Sequence, residues 1–83
     1  MRLDKFLKIS RLIKRRSVAK EVCDAGKVMV NGREAKAATP VKEGDVLVLR
    51  LGARELQVRV LKTPGTARVE EASSLYEVMG GNS

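Results

Sequence analysis

The spacing of apolar side chains divides the chain into two parts with different periods. Leu3, Phe6 and Leu7, continued by Ile9, Leu12 and Ile13, recur at helical intervals, which predicts a first helix over residues 4–10 with one buried stripe. Val18, Val22 and Ala25, flanked by Ala19 and Cys23, share one side of a second helix, with Lys20, Glu21 and Asp24 opposite. Ser17 stands at an N-cap position and Gly26 at a C′ position, so this helix is set at 17–25 after a tight turn at 14–17. Past Gly26 the period changes to two. Lys27-Val28-Met29-Val30 and Arg33-Glu34-Ala35-Lys36 flank Asn31-Gly32, a strong hairpin signal, because both central residues of a type I′ turn take positive φ.

Residues 39–45 read as a connecting loop, with Pro40 and Gly44-Asp45 as its turn residues. Val46-Leu47-Val48-Leu49-Arg50 and the run 56–61, joined by Gly52-Ala53-Arg54, predict a second hairpin with Leu56, Val58 and Val60 on one face. Leu75, Val78 and Met79 at helical spacing predict a short helix within 70–79, and Gly80-Gly81-Asn82-Ser83 a frayed tail. The expected fold class is α+β: two short N-terminal helices packed on a small antiparallel β-sheet running from 27 to 61. The domain is placed at residues 2–62, with a C-terminal extension over 63–83 that holds the short helix.

Charge sharpens this picture. The formal net charge is +7, and all of it lies in the first part: residues 1–36 carry eleven cations and four anions, residues 37–83 six of each. A one-sided basic surface is the electrostatic footprint of a polyanion partner, with nucleic acid the leading candidate. Within it, Lys14, Arg15 and Arg16 gather at the start of the second helix, where they oppose the helix dipole and repel one another. Local stability does not account for them; an anion docked on the same turn does. Arg2, Lys5, Lys8, Arg11 and Lys20 complete the candidate binding set.

Several kinds of chemistry are missing. With no histidine, one cysteine and no recognisable carboxylate cluster, neither a metal site nor a Ser-His or Cys-His nucleophile can be assembled, so no cofactor, no metal and no enzymatic activity are expected. The two aromatics, Phe6 and Tyr76, make no stacking platform for single strands. That leaves phosphate contacts and shape, which suits structured RNA; no recognition helix with Asn or Gln placed for DNA base edges stands out. No apolar run approaches the roughly 20 residues of a membrane span. The N-terminus lacks the features of a secretory signal, and a lone Cys23 on an apolar helix face suits a reducing compartment, so a cytoplasmic location is expected.

In this order and spacing, Arg2-Leu3-Asp4-Lys5-Phe6-Leu7, Ser10-Arg11, Arg15-Arg16-Ser17-Val18-Ala19, Ala25-Gly26-Lys27-Val28 and Val30-Asn31-Gly32 resemble the signature of the S-four RNA-binding domain, named after a small-subunit ribosomal protein. The resemblance covers residues 2 to about 50. It implies two helices on a small antiparallel sheet, the alpha-L motif, presenting basic side chains to structured RNA. Arg2 and Arg16 would be the principal contacts, and Arg11, Lys14, Arg15 and Lys20 would support them.

Length, opening and the Glu70-Glu71-Ala72 to Tyr76 tail are similar to the small stand-alone ribosome quality-control members of that family. What this implies is a single-copy binding module on a large ribosomal subunit obstructed by peptidyl-tRNA. It would contact 23S rRNA and the tRNA while a partner factor adds a C-terminal alanine tail. The heat-shock members, which also bind obstructed large subunits, carry a longer basic C-terminal extension; a recycling role of their kind is one alternative. A basic adaptor for an acidic protein partner is the other. Membrane binding would need Leu3, Phe6 and Leu7 exposed, which so small a core does not permit.

Overall fold

The structure, a computed structural model, describes residues 1–82. Helix α1 spans Leu3–Ile9 and buries Leu3, Phe6 and Leu7. Its first amides are satisfied from a distant segment: Leu3 N–H donates to the Thr39 carbonyl at 2.8 Å and Asp4 N–H to the Ala37 carbonyl at 3.1 Å. The Lys5 amide donates to the Asp4 carboxylate at 2.8 Å. Arg2 and Pro40 oppose each other in a lone antiparallel bridge, and Val41 N–H donates to the Met1 carbonyl at 2.8 Å. Residues 37–41 thus form a strap across the start of α1.

Helix α2 spans Arg16–Asp24. Ser17 is not its N-cap; Arg15 is, in extended conformation and with no side-chain cap, because Arg16 is tied to Asp4 of α1 and begins the helix one residue early. The tight turn expected at 14–17 is replaced by an irregular connection after Ile9, in which Arg11 takes φ 63° and the Ile13 amide donates to the Leu7 carbonyl at 3.1 Å. The buried side is narrower than the apolar pattern predicts. Ala19 and Cys23 are fully buried and Val22 half-buried, whereas Val18 and Ala25 are exposed. Small side chains at 19 and 23 let the two helix backbones approach closely, and little room remains for Val18. The end matches expectation: Gly26 takes φ 78°, its amide reaches the Cys23 carbonyl at 3.0 Å and the Lys27 amide the Val22 carbonyl at 3.2 Å, a Schellman closure.

Five antiparallel strands follow: β1 Val28–Val30, β2 Arg33–Glu34, β3 Val46–Leu51, β4 Arg54–Val60 and β5 Tyr76–Asn82, ordered β2-β1-β3-β4-β5. Asn31 and Gly32 take φ 51° and 82°, the type I′ pair that the sequence predicts. Val28, Leu47, Leu49, Val58 and Val60 face the helices and are buried, forming one core with Leu3, Phe6, Leu7, Ala19 and Cys23.

The C-terminal expectation is met only in part. No helix spans 70–79: a 3₁₀ helix covers Val69–Leu75 and β5 follows, pairing with β4 through Val60↔Tyr76, Arg59↔Glu77 and Val58↔Val78. The sheet therefore runs past residue 61, and 80–82 belong to a strand instead of a frayed tail; Ser83 lies outside the described residues. Two facts account for this. The edge of β4 offers unpaired backbone groups, and Tyr76 and Val78 favour strand over helix. Ala72 and Leu75, both buried, anchor the 3₁₀ turn that delivers β5 to that edge.

Candidate nucleic-acid interface

Asp4 is the residue that organises the basic face. It sits in the first turn of α1 and is buried, its side chain only 3% exposed. Arg2 Nε donates to Oδ1 at 3.1 Å and Arg2 Nη2 to Oδ2 at 3.3 Å. Arg16 Nε approaches Oδ2 at 3.5 Å from the first turn of α2. One carboxylate therefore joins the starts of both helices and gathers two guanidiniums. Burial alone pushes the Asp4 carboxyl up, but the Arg2 hydrogen bond, the Lys5 amide and the charge and contact of Arg16 outweigh it, so the group titrates below its ordinary value.

The donors left over define what this pair can hold. Each guanidinium has five N–H groups; Arg2 spends Nε and one hydrogen of Nη2, and Arg16 spends Nε alone. Both side chains remain half exposed, at 49% and 50%. Their free ends form two planar forks fixed from behind by the same anion, suited to bidentate binding of phosphate oxygens.

The other predicted residues lie around this pair to different degrees. Lys20 is four residues after Arg16 in α2 and so on the same side of the helix; Arg11, Lys14 and Arg15 are exposed in the connection between the helices. Lys5 and Lys8 are half-buried on α1; the Lys5 amide bonds the Asp4 carboxylate, but among the described residues neither ammonium does. Among the described residues, none of these six forms an ion pair, whereas Lys36, Arg50 and Arg59 are paired with Glu34, Glu55 and Glu77 at 3.7, 3.7 and 3.8 Å. The basic excess is thus uncompensated where it is concentrated. Phe6 is fully buried and Tyr76 half-buried, so the face has no ring on which a base could stack. Cys23 is buried, and burial together with the Asp4 and Asp24 charges pushes its thiol up to about 11, which makes it unreactive. Among the described residues no His, Cys, Asp and Glu cluster could hold a metal, and no helix is long and apolar enough to cross a membrane.

Sequence reasoning missed Asp4 as a site residue. The available signal was an acid placed within an apolar stripe, between Leu3 and Phe6, at a position that had to be buried.

Fold and site together define a small helix-pair-on-sheet module with two carboxylate-held arginines, and a family model described as the S4 domain matches residues 1–47. The RQC P-site tRNA stabilizing factor of Halalkalibacterium halodurans is 62% identical over 78 residues, which cover 94% of this chain and 89% of that protein. The factor of the same name from Bacillus subtilis is 51% identical over 79 residues, covering 95% and 92%. The trimeric structure of Vibrio cholerae heat shock protein 15 superposes with a TM-score of 0.87 at 36% identity, covering 95% of this chain and 81% of that one. The chain belongs to the S4 domain family and, within it, to the RQC P-site tRNA stabilizing factors.

Proposed function

We propose that this protein is a non-catalytic RNA-binding factor of ribosome-associated quality control. It acts on large ribosomal subunits obstructed by peptidyl-tRNA, gripping phosphates of rRNA and of the P-site tRNA with the Arg2 and Arg16 forks. Arg11, Lys14, Arg15 and Lys20 supply the surrounding field, and Lys5 and Lys8 extend it along α1. By steadying the tRNA the protein supports a tailing factor that adds alanine to the stalled chain; it works as a single copy, in the cytoplasm. The observation that carries this proposal is the buried Asp4 carboxylate holding two half-exposed guanidiniums. A structure whose only use for these arginines was solubility would not bury a carboxylate to fix them.

Co-sedimentation with purified large subunits, with and without peptidyl-tRNA, tests it. Binding should favour the obstructed particle and fall with Arg2→Ala or Arg16→Ala but persist with Arg54→Ala, which removes the same charge from the tip of the β3–β4 hairpin. Equal loss with all three variants would mean diffuse attraction, and no preference for the obstructed subunit would remove the tRNA from the proposal. Alanine-tail synthesis in a reconstituted system separates support of tailing from a recycling role, since only the former requires the tail to lengthen.

A further inference from the structure

Lys42 lies in the half of the chain whose charges balance, and neither a motif nor a charge run marks it. The strap places it elsewhere. Because the Val41 amide bonds the Met1 carbonyl and the Leu3 amide the Thr39 carbonyl, each at 2.8 Å, Arg2 and Pro40 form the non-hydrogen-bonded pair of their bridge. Side chains of such a pair leave the ladder on the same face and close together. Burial follows the alternation on both sides: Leu3 and Val41 are buried, while Arg2, Pro40 and Lys42 are exposed. Lys42 therefore stands two residues, roughly 6–7 Å, along from Pro40 and on the side where Arg2 presents its fork.

Its mount is rigid and its charge is free. The Lys42 amide donates to Asp45 Oδ2 at 3.0 Å and the Asp45 amide to the Lys42 carbonyl at 3.1 Å. Asp45 is itself buried, and its other oxygen accepts from Asn31 Nδ2 at 3.1 Å. The Asp45 carboxylate that accepts the Lys42 amide is thus occupied by backbone and amide donors, and among the described residues neither Lys42 nor Glu43 enters an ion pair.

We infer that Lys42 is a further phosphate contact, extending the Arg16 and Arg2 pair into a row of three cations that follows one RNA backbone strand. This rests on the RNA-binding function proposed above. The test is fluorescence anisotropy with a labelled RNA hairpin bearing a duplex stem, titrated over a range of KCl concentrations. Lys42→Ala should bind about three- to tenfold more weakly at fixed salt, with the log–log salt slope reduced by about 0.7–0.9, and Lys42→Arg should restore both. Its melting temperature should match the parent, because the exposed side chain has no partner in the fold. Arg54→Ala should leave affinity and slope unchanged, since Arg54 lies at the opposite end of the β3–β4 hairpin, about 17 Å along β3 from Val46. If Arg16→Ala loses binding while Lys42→Ala keeps it, the assignment of Lys42 is overturned and RNA binding stands. If both variants bind as the parent does, RNA binding by this face falls and Lys42 with it. Equal losses for Lys42→Ala and Arg54→Ala would also overturn the assignment, since they would mean general attraction.

Discussion

Replacing Asp4 with Asn separates charge from geometry. The variant raises the formal net charge from +7 to +8, so attraction by charge alone makes RNA bind more tightly. The structure leads to the opposite expectation. Asn retains an oxygen for the Lys5 amide but loses the charge that both guanidiniums address. Hydrogen bonds to ionised groups contribute about 1.5–3 kcal/mol and neutral ones about 1 kcal/mol. Both arginine side chains are half exposed and therefore screened, so the folded state should lose about 1–2 kcal/mol at neutral pH. Freed arginines regain rotamers that binding must freeze again, and RNA affinity should fall about three- to tenfold.

The pH dependence gives an independent check. The folded carboxyl titrates below its ordinary value of 3.8, so its stabilisation is complete above that value and is lost as pH falls through the lower, folded one. Urea denaturation should show parent and Asp4→Asn differing at neutral pH and converging as the pH falls through the lowered folded value. Tighter RNA binding by the variant, or a stability gap that persists in acid, would refute the role given to Asp4.

Three further outcomes are expected. Gly32→Val should cost about 1–2 kcal/mol in urea midpoint at constant m, because φ is 82° and an added Cβ meets nothing within 4 Å, leaving conformational strain alone. Arg11→Gly should raise stability by about 0.5–1 kcal/mol, since φ 63° is costly for a residue with a Cβ, and should weaken RNA binding; a variant no more stable would mean that Arg11 is unstrained. Arg16→Lys keeps the charge and loses the planar fork, so it should bind more weakly in the same anisotropy assay; parent-like affinity would reduce Arg16 to a point charge.

Periodicity was sufficient for the helix pair, the change to strands after Gly26 and the Asn31-Gly32 turn, because each of these is decided by neighbours in sequence. Where distant contacts decide, it was not. Ser17 satisfies local capping rules, yet α2 starts at Arg16 because of an anion twelve positions earlier. Val78 and Met79 keep helical spacing with Leu75, but the open edge of β4 recruits them into a strand. For the site, charge segregation singled out residues 1–36. It showed nothing of Asp4, because an acid in a basic region lowers the very excess that draws attention. Arg2 and Arg16, which charge marks only as contacts, each also compensate a buried carboxylate. Alanine at either position should therefore lower the melting temperature as well as the affinity.

The strap over α1 has a consequence for the order in which the protein acquires its shape. All of the net charge lies within the first 36 residues, and the two helices could pair once that length of chain is available. The first turn of α1, however, takes its acceptors from Ala37 and Thr39, and Arg2 takes its bridge partner from Pro40. Closing that loop is a non-local event, unfavourable until the contacts that reward it exist. A growing chain thus carries its full positive charge before it can aim it. The oriented face cannot form before residue 41 is available.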